Sequence, residues 1–230
     1  MLLPFFSWLP LEQQRKLALR KCDNNVLATY LRTPLADLDL PIKKIELASL
    51  DFETTGLNAK KDQLLSIGLV NIQAGKIDLS SSWHQVINIK GQLNNKNVVI
   101  HQITDDEKSR GMMLKQAFDQ LLPRLAGKVV LVHFAQIERE FLQQACIQLY
   151  GTKAPFILID TLEIACRYFK KRSQLNDPSQ FRLNNLRRHF SLPAYPEHHA
   201  LNDAIATAEL FLAELNHWYQ GTKTRLRPLI

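Results

Sequence analysis

The order of extended and helical segments is the feature that most restricts the fold of this chain. Three strand-like segments come first, at residues 45–52, 64–72 and 81–89, with turns at Gly56 and Gly75 between them. Strands and helices then alternate: the pattern predicts strands at 128–132 and 156–160 and helices at 113–125, 135–149, 161–170, 183–190 and 201–217. Strands with short connections pair antiparallel, whereas strands that alternate with helices pair parallel. The sequence therefore predicts an α/β domain with a mixed sheet and helices packed on its faces.

The two ends of the chain lie outside this pattern. Residues 1–44 contain an apolar tip with two prolines, a helical stretch and a proline-broken loop, and we interpret them as an N-terminal helical extension. Residues 221–230 are interpreted as a short basic tail, which leaves 45–220 as the main domain. We expect the extension to pack on the main domain or to mediate association with a protein partner.

Composition narrows the class of protein further. The formal net charge is +7, and a basic chain is attracted to polyanions, of which nucleic acid is the commonest. A merely basic surface is the alternative interpretation. The apolar N-terminal run is interrupted by Pro4 and Pro10 and is too short to span a bilayer, so we expect a cytoplasmic protein with no membrane association.

The stretch "SLDFETTGL" places two carboxylates, Asp51 and Glu53, at the end of an apolar segment. Side chains at positions i and i+2 of a strand project from the same face, so both acids point the same way. Each raises the cost of ionising the other unless a cation lies between them, and hard divalent cations such as Mg²⁺ prefer carboxylate oxygens. Two solvated acids after the end of a strand are the alternative.

A second candidate cluster is "EHHALNDAIATAEL", where Asp203 falls in the first turn of a predicted helix. His198 comes just before that helix and can lie beside Asp203 across its N-terminus. Histidine is the side chain best suited to take up a proton near neutral pH. The simpler alternative is that Asp203 only interacts favourably with the helix dipole.

Five segments occur in a characteristic order: "LDFETTGL", "LSIG", "LVHFAQIEREFL", "LIDTLEIACR" and "HHALNDAIATA". Together they resemble the DEDDh family of 3′ to 5′ exonucleases, typified by the proofreading epsilon subunit of bacterial DNA polymerase III. The resemblance covers about residues 45–215. It implies a ribonuclease H-like fold and metal-dependent removal of nucleoside 5′-monophosphates from the 3′ end of single-stranded or frayed DNA.

The resemblance also implies roles for individual residues. Asp51, Glu53 and Asp203 match the carboxylates that bind two Mg²⁺ or Mn²⁺ ions, and His198, rather than His199, matches the general base. The matches to the substrate-binding stretches are Thr54, Thr55, Gly56 and Leu57, with Ile103 in "IHQIT" and His133 in "LVHFAQ". "IHQIT" has Gln102 where the family usually has glycine.

The remaining acid of the family is an aspartate in a pattern close to V-x-H-N-x-x-F-D. Aligning His133 places Glu138 at that position, while Phe134 and Ile137 replace the usual Asn and Phe. Helical periodicity places Glu138 inside an apolar stripe and Glu140 outside it. Because a buried carboxylate is costly unless it is paired or bound to a metal, Glu138 is the predicted active-site acid, acting directly or through water.

Two alternatives follow from the same residues. RNA could replace DNA as the substrate, because the family includes RNA-trimming enzymes. The extra methylene of Glu138 could also weaken catalysis and leave a nucleic-acid-binding or partner-docking module. A basic cluster at residues 171–188 fits a solvated helix face, with a phosphate-contact surface as the alternative; its members are Lys171, Arg172, Arg182, Arg187 and Arg188.

Overall fold

The structure is a computed structural model that describes residues 9–89, 109–172 and 177–230. Its strands are β1 (Leu47–Thr54), β2 (Leu64–Gln73), β3 (Lys76–Val86), β4 (Val129–Val132) and β5 (Leu158–Asp160). Its α-helices are α1 (Leu11–Arg20), α2 (Asn25–Arg32), α3 (Leu114–Leu125), α4 (Gln136–Tyr150), α5 (Thr161–Lys170), α6 (Leu183–His189) and α7 (Ala200–Trp218). Each strand, and each helix from α3 onward, overlaps a segment that the sequence predicts.

The five strands form one sheet in the order β3-β2-β1-β4-β5. β1 pairs antiparallel with β2, and β2 pairs antiparallel with β3. β4 lies parallel to β1 on its other side, and β5 lies parallel to β4. The predicted mixed sheet, with an antiparallel meander followed by a parallel portion, is confirmed.

The strand boundaries differ from the prediction by up to five residues, and two of the differences bear on the site and on the sheet. β1 extends to Thr54, so Asp51 and Glu53 lie within the strand rather than at its end. β3 begins at Lys76, because Ala74 and Gly75 both have positive φ and form a tight hairpin turn that brings the chain back at once. The hairpin therefore starts earlier than the polar composition of residues 76–80 suggests.

Helices cover both faces of the sheet. On one face, Leu50 and Phe52 of β1 pack in a core with residues of α2, α3 and α4, among them Leu31, Phe118 and Leu142. On the other face, Leu47 of β1 packs with Ile164 of α5 and with Phe211 and Leu215 of α7. The strand's alternation fixes this division, because successive side chains point to opposite faces. Asp51 and Glu53 lie an even number of residues after Leu47 in the same strand, so their side chains point to the same face as Leu47, the face covered by α7.

α7 is buried on more than one side. The adjacent residues Leu210 and Phe211 are both fully buried, whereas Leu201, Ile205 and Leu212 are only partly buried. The reason is that α7 contacts the sheet and also α5 and α6. Among the described residues, no helix combines the length and the apolar character needed to cross a membrane.

Both ends of the described chain contact the domain. Leu27 and Leu31 of α2 are fully buried, and the Tyr30 hydroxyl donates a hydrogen bond to the Pro155 carbonyl at 2.7 Å. At the other end, Leu226 and Leu229 are buried in the core of the α7 face. The division of the chain at residues 44 and 220 stays a prediction, and the apolar tip, residues 1–8, lies outside the described residues.

Candidate active site

The centre of the site is the α7 face of β1, where Asp51 and Glu53 stand one strand repeat apart. Asp51 lies opposite Gly68 of β2, and Glu53 lies opposite Ser66. Glu53 is 5% exposed, while Asp51 is partly exposed and lines a cavity. The i, i+2 spacing in the sequence therefore brings both carboxylates to one face, as predicted.

Gly68 allows the N-terminus of α7 to lie directly on the sheet beside these acids. A Cβ atom at Gly68 would stand 2.1 Å from the backbone carbon of Ala200, which no side chain could tolerate. The Ser49 hydroxyl fixes the same contact by donating to the Ala204 carbonyl at 2.7 Å. The first turn of α7, with Asp203, is thus held above β1. The glycine of "LSIG" was visible in the sequence, but its role depends on a contact with a distant helix.

A hydrogen bond from the His198 backbone to the Asp203 side chain joins these two residues. The His198 N–H donates to Asp203 Oδ2 at 2.9 Å, and His198 adopts a positive φ of 63°. One ligand atom each from Glu53, His198 and Asp203 lie within 4.8 Å of one another. The structure therefore brings these three predicted site residues together.

His199 has a different environment from its neighbour. It is the N-cap of α7, where its ring accepts a long hydrogen bond from the Asn202 N–H at 3.4 Å. Its ring also packs on His84 of β3, with 4.5 Å between the ring centroids. His199 therefore contacts α7 and β3, and the choice of His198 as the general base stays a prediction.

Glu138 lies in the first turn of α4 and is 3% exposed, whereas Glu140 is exposed. The sequence therefore correctly predicts that Glu138 lies on the buried side of the helix and that Glu140 does not. Burial raises the pKa of Glu138 to about 8, and the negative charges of Asp160 and Glu53 add to this rise. Within the described part of the chain, Glu138 Oε2 has no hydrogen-bond partner. Its carboxylate is therefore a buried acceptor that a cation or a substrate proton would satisfy.

Burial and neighbouring negative charge raise the pKa values of Asp51, Glu138 and Asp203. Burial raises the pKa of Asp51 well above its usual range, and the charges of Glu138, Glu53 and Asp203 raise it further. Burial likewise raises the pKa of Asp203 to about 7, again with a contribution from Glu53. Positive charge placed among these carboxylates would favour the ionised forms of Asp51, Glu138 and Asp203. The donor set therefore fits hard divalent cations, which prefer carboxylate oxygens.

Asp160, at the end of β5, has a structural role that no pattern in the sequence indicates. Its carboxylate accepts hydrogen bonds from the N–H groups of Phe134 and Ala135, both at 2.9 Å, and from Leu162 at 3.0 Å. It thereby fixes the connection before α4 and also caps α5. Phe134 has a φ of 73°, a conformation that costs a residue with a Cβ atom about 1 to 2 kcal/mol. Asp160 is thus the anchor that holds this connection and, through it, the start of the helix of Glu138.

The predicted substrate-binding residues fall into three groups. In the TTGL turn, Thr54 donates to the Gly56 carbonyl at 2.8 Å and Leu57 is 69% exposed. His133 lines the cavity, but its ring nitrogens lie 2.8 Å from Thr161 Oγ1 and 3.0 Å from the Phe181 carbonyl, and burial lowers its pKa to about 4. Its substrate contact stays a prediction. Ile103 and Gln102 lie outside the described residues.

The Thr55 side chain also closes this turn, because its hydroxyl accepts a hydrogen bond from the Gln63 N–H at 3.0 Å. Gly56 allows the turn to fold tightly, since a Cβ atom there would stand 2.6 Å from an oxygen of the Asp62 carboxylate. The same carboxylate accepts from the Asn58 N–H at 2.8 Å. The turn beside the acids is therefore preformed, with Leu57 projecting from it.

The basic cluster at residues 171–188 does not form a single solvated face. Arg182 and Arg188 are exposed and line the same cavity of about 520 Å³ as Asp51, His198 and Asp203. Arg187 is instead 1% exposed and donates to the carbonyls of Ala206 and Pro193 and to Glu209. The solvated-face interpretation is therefore wrong for Arg187, because a buried acceptor set encloses its guanidinium.

Together, the order of the five strands and the helices on both faces of the sheet define a ribonuclease H-like fold. The exonuclease family matches residues 49–211, and the chain belongs to that family.

Known relatives and structures agree with this assignment. The chain is 29% identical over 163 residues to the DNA polymerase III PolC-type protein of Thermotoga maritima, a match that spans 71% of this chain and 11% of that protein. It is 26% identical over 176 residues to the DNA polymerase III subunit epsilon of Treponema pallidum, which spans 75% of this chain and 78% of that protein.

Among solved structures, the nuclease domain of 3′hExo, a DEDDh family member bound to rAMP, superposes with a TM-score of 0.64. The superposition covers 84% of this chain and 98% of that chain at 17% identity. Similarity at this level of identity supports the fold.

Proposed function

We propose that this protein is a metal-dependent 3′ to 5′ exonuclease that removes nucleoside 5′-monophosphates from single-stranded or frayed DNA. The observation that carries the proposal is the convergence of ligand atoms from Glu53, His198 and Asp203 within 4.8 Å, on residues from two distant parts of the chain. Asp51 and the buried Glu138 add two further acids, and the charge of Glu138 contributes to the raised pKa of Asp51.

Mg²⁺ or Mn²⁺ is the cofactor that this donor set supports. We assign Asp51, Glu53 and Asp203 as ligands of two such ions, with Glu138 as a ligand directly or through water. When bound, the ions would stabilise negative charge on the phosphoryl oxygens and favour loss of a proton from the attacking water. Two observations support this assignment: Glu138 Oε2 has no hydrogen-bond partner among the described residues, and the pKa values of three acids are raised.

His198 is the general base of the proposed reaction. Its side chain is 54% exposed and can therefore reach a water molecule in the cavity, while its backbone is held by Asp203. His198 takes a proton from the water whose oxygen attacks the last phosphodiester phosphorus. The bond from phosphorus to the 3′ oxygen of the preceding nucleotide breaks, and that oxygen takes up a proton from solvent. The strand is left with a 3′-hydroxyl and the released nucleoside with a 5′-phosphate.

The remaining walls of the cavity suit a nucleic acid strand. Arg182 and Arg188 stand where phosphates of the strand can be bound, and electrostatic contacts of this kind supply much of the affinity for nucleic acid. DNA is the proposed substrate because the relatives are named as DNA polymerase III proteins. RNA is the second candidate, since the fold neighbour 3′hExo was solved with rAMP.

A digestion assay tests the proposal. Oligonucleotides of DNA and RNA, labelled at the 5′ end, are incubated with Mg²⁺ or Mn²⁺, and the products are resolved by length. Stepwise shortening from the 3′ end that EDTA abolishes is expected. Lack of metal-dependent shortening, or shortening from the 5′ end, would contradict the proposal.

Two variants test the place of Glu138 in the site. Glu138→Gln keeps the size of the side chain but removes its charge, and it should lower the rate by about 10- to 100-fold. Glu140→Gln, two residues away and exposed, is the matched control and should act like the wild type. Binding without hydrolysis by the wild type would instead indicate a nucleic-acid-binding module.

A further inference from the structure

Phe134 is a large aromatic side chain that is exposed inside the catalytic cavity. It is 40% exposed and lines the same cavity as Asp51, His198 and Asp203. It occupies the position where the motif of similar exonucleases has asparagine, a residue that adopts positive φ more readily. An exposed phenylalanine in this conformation therefore has two costs, one in backbone strain and one in apolar surface left in water.

The backbone of Phe134 is held firmly in spite of this strain. Its N–H donates to Asp160 Oδ1 at 2.9 Å, and the next N–H, of Ala135, donates to Asp160 Oδ2 at the same distance. The Ile137 N–H donates to the Phe134 carbonyl at 3.3 Å, which ties the residue to the start of α4. Strained residues persist where surrounding contacts fix them, and such residues cluster at ligand-binding sites. A ring on a fixed backbone loses little freedom when a ligand covers it.

The composition of the cavity around Phe134 matches the parts of a nucleotide. Apolar side chains of Leu162, Pro178 and Leu183 line it together with the cationic Arg182 and Arg188. Nucleobases have flat apolar faces, and each is joined to a negatively charged phosphate. Aromatic rings next to cationic side chains are the usual means by which proteins bind single strands without regard to sequence.

We propose that Phe134 stacks on a base of the substrate strand and so selects strands whose 3′-terminal bases are unpaired. Stacking of this kind accepts every base, because each has an aromatic face. A base that stacks on Phe134 has to leave its duplex neighbours, and a paired end therefore binds less well than a frayed one. This inference rests on the proposed function, because it takes the strand to lie in the catalytic cavity.

Binding measured without turnover tests the inference. A fluorescent single-stranded DNA oligonucleotide is titrated with the full-length protein in EDTA, and Kd is obtained from anisotropy. Phe134→Ala should weaken binding by about 10-fold or more, a magnitude typical of one stacked base. Phe134→Trp should retain the affinity of the wild type. Leu79→Ala, which removes an exposed apolar side chain from β3, is the control and should leave Kd unchanged.

An asparagine variant separates stacking from a structural role. Phe134→Asn suits the positive φ and should raise the unfolding temperature, yet it should bind as weakly as Phe134→Ala. A structural role alone predicts that Phe134→Asn binds like the wild type, which would overturn the inference.

Abasic oligonucleotides locate the base that stacks. Oligonucleotides that lack one base, at successive positions from the 3′ end, are compared with the intact strand. The wild type should bind more weakly when the base is missing at one particular position. Phe134→Ala should bind that abasic oligonucleotide and the intact strand equally. A Phe134→Ala Kd within twofold of the wild type would overturn stacking and leave the nuclease proposal intact. A wild type that binds through Phe134 but never shortens the strand would overturn the nuclease proposal instead.

Discussion

The two sides of the candidate site are built in different ways. On one side, Asp51 and Glu53 come from the regular strand β1, where alternation alone directs them to the α7 face. On the other side, Phe134 and His198 have φ values of 73° and 63° in short connections before α4 and α7. Asp160 holds the first connection and Asp203 the second. Strand geometry alone orients the side chains of Asp51 and Glu53. The backbone conformations of Phe134 and His198 depend instead on hydrogen bonds to anchors, one distant in sequence and one in the following helix.

The largest expected effect on stability comes from removing the anchor of the Phe134 connection. Asp160→Ala leaves three N–H groups without a charged acceptor, and the free energy of unfolding should fall by about 4 kcal/mol. Urea unfolding followed by circular dichroism measures this change. Asp160→Asn keeps one acceptor oxygen and should lose only part of it. Equal stability of Asp160→Ala and the wild type would show that the connection needs no such anchor.

The segment that carries His198 has a separate anchor in Arg187, whose guanidinium contacts Pro193, Ala206 and Glu209. Arg187→Ala removes the buried partner of an ion pair with the partly exposed Glu209 and leaves the Ala206 and Pro193 carbonyls without their donor, which should cost about 3 kcal/mol. The digestion rate should also fall, because Pro193 and His198 belong to the same connection. Arg188→Ala is the control: its side chain is exposed, so stability should not change, while Kd for an oligonucleotide should rise.

The strand side should respond in activity rather than in stability. Glu53→Gln preserves shape but removes a charge that raises the pKa values of Asp51 and Asp203. We expect the turnover rate to fall by about 100-fold, while the unfolding temperature stays equal or rises. Steady-state kinetics and thermal unfolding of one preparation measure both. Loss of stability without loss of rate would mean that Glu53 is a structural residue.

Glu214 of α7 provides a buried acid outside the cluster, and the smallest effect is expected there. It is 0% exposed, and in the part of the chain that the structure describes neither carboxylate oxygen has a hydrogen-bond partner. Burial raises its pKa well above the usual 4.5, so the unfolded state releases the proton first and stability falls as pH rises above about 4.5.

Glu214→Leu should therefore raise the free energy of unfolding by about 1 to 2 kcal/mol at pH 7 and flatten its decline with pH. The digestion rate should match the wild type. Urea unfolding from pH 4 to 8 tests the first expectation, and a lower rate for the variant would place Glu214 in the catalytic machinery after all.

Features of the site that depend on local periodicity could be predicted from the sequence, and those that depend on tertiary contacts could not. The orientation of Asp51 and Glu53 and the contrast between Glu138 and Glu140 depend on strand and helix periods, which local sequence contains. The anchoring role of Asp160, the ion pair of Arg187 and the contact of Gly68 with Ala200 depend on residues brought together only by the fold. The basic residues 182, 187 and 188 look alike in sequence, yet only tertiary packing decides which of them is buried.

Stability measured against Mn²⁺ or Mg²⁺ concentration tests most directly whether the converging acids form a cation site. A cation that binds only the folded state raises its stability, by about 2.7 kcal/mol at a concentration 100 times the Kd. The wild type should show an unfolding free energy that rises with the logarithm of cation concentration above the Kd, a rise that Asp203→Asn lacks and Glu140→Gln retains. A flat wild-type curve, or an equal rise in Asp203→Asn, would contradict the account.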